Sequence, residues 1–463
     1  MIELRKRWTW LAALSLTAAA APAWGQEPPP SKAPSLPEEA ADEEPQPDRY
    51  QVLEERIAEL SERLKRSEEE RHLVPALTWN GYVDLGAYVP IGNRGVGWVQ
   101  DFNNAQFPQY SNYTWTFLGD ILATAVNTRG EPADLGQAPG VVGTERFDSV
   151  HSEGAPGFIV NEINLRPSYA LSDKAIMRTS LNFMPRTGEN FNFGDFFDAD
   201  IAELEYLLTD DGKTSFFAGK MLPVFGVEYR ERKSDQRFGV TPSLVSRYTT
   251  GPQLGLKIRS RLLDDWLIVA ASVTNNSSTI ESFHFYSEID KNIGKTLNGR
   301  AAINIPVGHA LRNADKLEIG VSGEWGPQDR ATDNAGKMWF AGIDLLYQGV
   351  SYALEAQVLK GGAPGRPDED VWKLDLKPSG YVSFNWQVDP HFGFYMRGDL
   401  RNAVVSLGTE RIYVTKEWRA TGGVRWVFNP HMVLKAEYLH NAEYGGIRQF
   451  LDDVATSSLV LSF

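Results

Sequence analysis

Downstream of Pro75 the chain alternates apolar and polar positions with a period of two, the pattern of strands that present one whole face to each side. In "ALTWNGYVDLGAYV", Leu77, Trp79, Val83, Leu85 and Val89 share one face, and Asn80, Tyr82, Asp84 and Tyr88 take the other. "KAIMRTSLNF" sets Met177, Leu181 and Phe183 against Arg178, Ser180 and Asn182. "HFGFYMRGDLRN" sets Phe392, Phe394, Met396 and Leu400 against Tyr395, Arg397, Asp399 and Arg401. The pattern predicts sixteen strands, near 76–90, 157–171, 174–185, 197–209, 213–228, 250–263, 266–276, 296–307, 315–326, 336–347, 350–361, 374–388, 391–402, 411–428, 431–444 and 451–463. The last, "VATSSLVLSF", keeps alternating up to Phe463, with Leu459 and Leu461 in phase with it.

The connections are unequal. Those after the even-numbered strands are mostly tight, "LSDK", "TDDGK", "LDDW", "YQGV", "VDPH" and "FNPH", built from the Gly, Pro, Asn and Asp that turns require. Those at the opposite ends are long, notably 91–156, 229–249, 277–295 and 361–373. Short turns at one rim and long loops at the other are the layout of a transmembrane β-barrel. The predicted fold is therefore all-β and transmembrane: a 16-stranded antiparallel outer-membrane β-barrel over 75–463. A closed barrel has no edge, so its last residue can sit in the ladder. Leu459, Leu461 and Phe463 then face lipid, and a terminal Phe on such a strand resembles the signal that bacterial outer-membrane barrels present to their insertion machinery. The competing reading is a soluble β-sandwich or propeller, whose apolar strand faces would have to pack on a second sheet.

The amino-terminal part follows other rules. Arg5, Lys6 and Arg7 precede an apolar run from Trp8 to Ala21 and small residues at 23–25, a secretory signal over 1–25. Residues 26–48 are rich in Pro and acid and should form an extended, disordered linker. Over 49–73, Tyr50, Leu53, Ile57, Leu60 and Leu64 recur at spacings of three and four, the seam of a short periplasmic α-helical coiled coil. Such a seam suits a small oligomer, with a single amphipathic helix as the alternative. A net charge of −14, with acid in excess on both the amino-terminal part and the remainder, does not resemble a nucleic-acid footprint, and a chain without cysteine forms no disulfides.

Sixteen strands leave an aqueous lumen too wide for side chains to fill. The inward faces receive both signs of charge. Lys257, Arg259 and Arg261 stand in register on one strand, with Glu318, Glu324, Asp344 and Glu355 on the opposing wall. Either these set up a transverse field that favours polar solutes, or they pair with neighbours and stiffen the wall. The connection "YRERKSDQRFGVTPSLVSRYTT" adds Arg230, Arg232, Lys233, Arg237 and Arg247. At this stretch the chain resembles the sixteen-stranded bacterial porins, whose third external loop folds into the lumen as the constriction. "GKMLPVFGVEYRE" and "SRYTTGPQLGLKI" look most like the phosphate-selective porin O/P-type family. The resemblance implies a trimeric outer-membrane channel for small hydrophilic solutes, constricted by residues 229–250 and anion-biased by their basic cluster. The acid-rich remainder of the lumen departs from that pattern, and the basic loop could equally bind lipopolysaccharide phosphates.

The remaining chemistry is thin. Asp195, Asp198 and Asp200 are oxygen donors suited to Ca²⁺ but lack the spacing of a calcium loop, so a solvated acidic segment is favoured and no metal or cofactor is expected. The aromatics of loop 91–156 could cap the pore, pack between barrels or guide sugars. The seven histidines are scattered, with His391 and His431 in turn motifs, and no nucleophile motif is present, so no enzyme is expected. A different class of function is a cell-envelope tether, with the barrel as anchor and the coiled coil reaching toward peptidoglycan.

Overall fold

The computed structural model describes residues 77–92, 99–101, 149–151, 157–183, 197–279, 293–306, 316–328, 335–369, 371–408, 410–444 and 452–463. The chain divides into two units, Met1–Arg66 and Ser67–Phe463, and the barrel lies in the second. The expected signal, linker and seam helix (1–25, 26–48 and 49–73) and the aromatics of loop 91–156 lie outside the described residues.

Sixteen strands form one closed antiparallel barrel. They are β1 (Leu77–Gly92), β4 (Gly157–Ser172), β5 (Ala175–Phe183), β6 (Phe197–Leu207), β7 (Thr214–Met221), β8 (Gln253–Leu262), β9 (Leu267–Thr274) and β10 (Thr296–Pro306). The circuit continues with β11 (Lys316–Pro327), β12 (Lys337–Gln348), β13 (Tyr352–Ala363), β14 (Lys373–Gln387), β15 (Phe392–Leu407), β16 (Glu410–Asn429), β17 (Met432–Glu443) and β18 (Asp452–Ser462). Two short strands, β2 (Val99–Asp101) and β3 (Ser149–His151), pair with each other in the connection from β1 to β4. Each barrel strand bonds its chain neighbours, and β18 closes on β1 from Tyr82↔Ser462 to Gly92↔Asp452. The last residue sits in that ladder: Phe463 N–H donates to the Gly81 carbonyl at 3.0 Å, and Gly81 N–H donates to the Phe463 carbonyl at 3.1 Å.

The strands match the sixteen predicted from the period of two, with informative differences at their ends. The segment expected over 213–228 leaves the ladder at Met221, because Pro223 has no N–H to donate and Gly226 turns the chain at φ +71°. The segment expected over 391–402 instead runs to Leu407 and meets β16 through a tight turn at Gly408, so that long-loop connection is short. The tight turns behave as their residues dictate. Asp389 and Asn429 accept the backbone N–H groups of His391 and His431 at 2.7 and 2.8 Å, fixing both histidines as turn residues.

The outer surface is apolar. Leu256, Ile258, Val321, Ile343, Val358 and Met396 all point outward and are 44–61% exposed. Trp386, Trp426 and Phe463 ring the short-turn rim, while Trp325 and Trp339, paired across β11 and β12, face out toward the long-loop rim. A contiguous exposed apolar band between aromatic girdles is a lipid-facing surface. Among the described residues no helix is long and apolar enough to cross a membrane. On β14 to β18 the band sinks into a groove floored by Gly422, Ala436 and Ala455 and walled by Trp386, Phe394, Met396 and Val424.

Candidate functional site, the loop inside the barrel

The chain between β7 and β8 does not stay at the rim. It enters the lumen and is buried for nearly its whole length, with Phe225, Val227, Val245 and Tyr248 at 2% exposure or less. Two kinds of contact hold it. The first is apolar. Met338, Phe340 and Leu346 share the inward phase of β12 with Asp344 and are all buried. The Phe225 ring lies over Gly342, where a Cβ would stand 3.1 Å from it. Tyr248 packs on Phe340 with ring centroids 5.8 Å apart. Gly361 leaves room for that Phe340 ring, which a Cβ there would meet at 2.2 Å. The charged inner wall thus also carries an apolar patch, because a folded loop supplies the matching surface.

The second is polar and circles the barrel. Arg230 forms a two-pronged pair with Glu318 on β11 at 2.7 and 3.1 Å. Arg232 does the same to Asp200 on β6, with Nη1 at 2.7 Å, and both side chains are 4% exposed or less. Lys233 Nζ reaches Glu162 on β4 at 2.7 Å, Asn182 on β5 at 2.8 Å and Asp200 at 3.2 Å. Ser234 Oγ donates to Asp84 on β1 at 2.6 Å. Asp235 takes Arg166 of β4 at 2.6 and 2.8 Å. Beyond it, Glu437 on β17 accepts the N–H groups of Val240 and Thr241 at 2.9 and 2.8 Å. Lys435 gathers the carbonyls of Ser234, Arg237 and Gly239. Arg397 on β15 binds the carbonyls of Thr241 and Pro242 at 2.7 and 2.8 Å, and Arg401 holds the Tyr248 hydroxyl at 2.9 Å.

Within the loop, Glu228 staples the two arms by accepting from Ser243 N and Oγ at 2.7 and 2.6 Å. Burial pushes the Glu228 carboxyl above its usual range, against those Ser243 donors. The Glu231 carboxyl is also raised by burial, with Arg237 opposing the shift. A second inward segment, 275–279, braces the far arm. Ser278 Oγ donates to the Tyr248 carbonyl at 2.9 Å, and Glu324 accepts Ser277 Oγ and Ser278 N–H, the latter at 3.0 Å.

The structure therefore brings the sequence-predicted residues into definite places. Arg230, Arg232 and Lys233 are ion-paired to the wall, Arg237 folds back on the Arg232 carbonyl at 3.2 Å, and Arg247 is buried within the loop. Of the opposing acids, Glu318 and Asp344 share Arg300, Glu324 holds segment 275–279, and Glu355 accepts from Tyr381. Asp200, considered as a calcium ligand, is committed to Arg232 and Lys233; Asp195 lies outside the described residues, among which no metal-holding acid or histidine cluster occurs. Arg178, Arg259 and Arg261 keep open surface, at 40–51% exposure, in the short-turn half of the lumen. Glu205 answers the first two, the second at 3.3 Å, and the Phe217 ring lies 4.3 Å from Lys257 Nζ and 5.1 Å from the Arg259 guanidinium. The loop clasps Lys435, Glu437, Arg397 and Arg401 are legible in sequence as inward-facing positions, but nothing local says what they bind.

No family model and no curated protein matches the chain. Solved structures similar to it include the outer membrane channel DcaP of Acinetobacter baumannii, at 10% identity over 84% of this chain and 97% of that one, with a TM-score of 0.49. Salmonella typhi OmpF, solved with daunomycin, is 9% identical over 84% and 97% of the two chains, with a TM-score of 0.49. The anion-selective porin from Comamonas acidovorans is 10% identical over 84% and 100%, with a TM-score of 0.46.

Proposed function

We propose that this chain is an outer-membrane channel of a Gram-negative bacterium that passes small hydrophilic solutes down their gradient, with no catalysis. One observation carries the reading. The barrel is closed, apolar over its outer band, and lined inside by charged side chains, so a polar path through a bilayer is what its two surfaces together support. The path is narrowed by residues 222–252. An anion bias, as in the phosphate-selective porin O/P-type family, is the finer reading. It is supported by Arg178, Arg259 and Arg261, which retain open surface although acids pair with them, and less by the buried loop cations such as Arg232 and Lys233. A homotrimer is supported by the groove of small outward residues on β16 to β18, where a second barrel could approach closely. Export through a signal over 1–25, assembly through Leu459, Leu461 and Phe463, contact with lipopolysaccharide, and a periplasmic arm toward peptidoglycan complete the proposal.

Liposome swelling tests it. Proteoliposomes should swell in sugars or amino acids below a size limit and not in larger ones. Folded protein that leaves liposomes impermeable to every small solute, and that carries no current in planar bilayers even when the loop's ion pairs to the wall are removed, would sink the channel reading and favour the tether.

A further inference from the structure

Within the five residues Arg230 to Ser234, the side chains of Arg230, Arg232, Lys233 and Ser234 are fastened to β11, β6, β4, β5 and β1. In the circuit of sixteen strands β1 and β11 stand eight places apart, which is the full width of the barrel. So short a stretch of backbone, extended by the side chains at its ends, can hold both walls only by running across the lumen rather than along one side. The fastenings are those of a clasp. Asp200, Glu318 and Glu162 are 4% exposed or less at their carboxylates, and each takes a cation from the crossing segment. On either side the loop is anchored independently, by Phe225 over Gly342 before the crossing and by Arg397 and Arg401 after it. Breaking the clasps would therefore leave the anchors on either side in place.

We propose that residues 230–234 form a crossbar that closes the channel at rest, and that Asp200 and Glu318 are the positioning residues whose ion pairs set how often it opens. The proposal rests on the channel reading. Passage then depends on an element with two arrangements, bound across the lumen or released to one wall. The wall charges matter by holding the bar as well as by meeting the solute.

The test uses the full-length protein in planar bilayers. Since the natural chain has no cysteine, Asp84→Cys with Ser234→Cys supplies the only two thiols, on β1 and on the bar, and leaves the Asp200 and Glu318 pairs intact. A short, reductant-cleavable thiol cross-linker should abolish openings, and reductant should restore them. Asp200→Asn, or Glu318→Gln if the first fails to fold, should raise the fraction of time spent open at least tenfold. Equal currents before and after cross-linking would overturn the crossbar and leave the channel reading standing. Absence of current from every form, Asp200→Asn included, would remove both.

Discussion

Replacing Phe225 by Ala separates the stability of the loop from that of the barrel. The ring is fully buried, lies over Gly342, and belongs to no strand, so no ladder hydrogen bond depends on it. Truncating a buried Phe costs about 3–5 kcal/mol, the lower end applying where the site can collapse. Because the wall strands keep their own pairing, that loss falls on docking of the loop. At 1.4 kcal/mol per tenfold change, it corresponds to an increase of roughly 10²- to 4 × 10³-fold in the undocked population. A Val227→Cys reporter reads it, since Val227 is buried two residues beyond Phe225 in the same arm of the loop and the thiol would be the only one in the chain. Labelling by a small hydrophilic maleimide should accelerate by that factor in the Phe225→Ala background, while the folded barrel keeps its heat-modifiable gel mobility. Labelling rates within twofold of each other would refute the idea that this apolar patch holds the loop in the lumen.

Other expectations follow from closure, protonation and charge. A Cβ on Gly81 would stand 2.2 Å from the Asn164 carbonyl and 2.8 Å from the Phe463 ring, so Gly81→Val should abolish the heat-modifiable folded form by blocking closure of β1 on its neighbours; an unchanged gel mobility would contradict it. Glu228 and Glu231 have carboxyls raised by burial, so the docked loop binds more protons than an exposed one. Docking is then fully favoured below the unfolded carboxyl pKa of about 4.3 and weakens as pH rises through it toward the higher docked value. Reporter labelling, corrected for thiolate fraction, should be faster at pH 7 than at pH 5, with Glu231→Gln shrinking the difference; an unchanged ratio in that variant would exclude Glu231 as a source. Arg259→Gln with Arg261→Gln removes two half-exposed cations from the short-turn vestibule and should move the reversal potential in a salt gradient toward cation preference. The shift should be larger in dilute salt, because screening is weaker there; no shift would place any selectivity elsewhere.

The sequence exposed one layer of this molecule and hid another. Strand number, turn rim and the inward or outward aim of Lys257, Glu318 or Met396 follow from a period of two, which a wall between lipid and water enforces at every position. Closure at Phe463 was legible for the same reason. Partnerships were not, because they join residues far apart in the chain. Arg232 meets Asp200 and Lys435 meets Gly239 across connections that no local pattern encodes. Asp200 looked like part of a solvated acidic segment until the loop's cations were brought against it. Phe340 falls in the inward phase of its strand, but the period of two says nothing of what an inward ring packs on; that is Tyr248, from a loop elsewhere in the chain. The loop's basic residues read equally as anion-attracting or as lipopolysaccharide-binding, because sequence shows charge and not its partner.

The central claim is that a closed, lipid-facing barrel conducts through a lumen that one loop crosses. Single-channel recording of the purified full-length protein under a salt gradient tests it most directly. The account predicts discrete openings separated by long closures, with a reversal potential displaced toward anions. Folded, heat-modifiable protein that inserts and never conducts would contradict it.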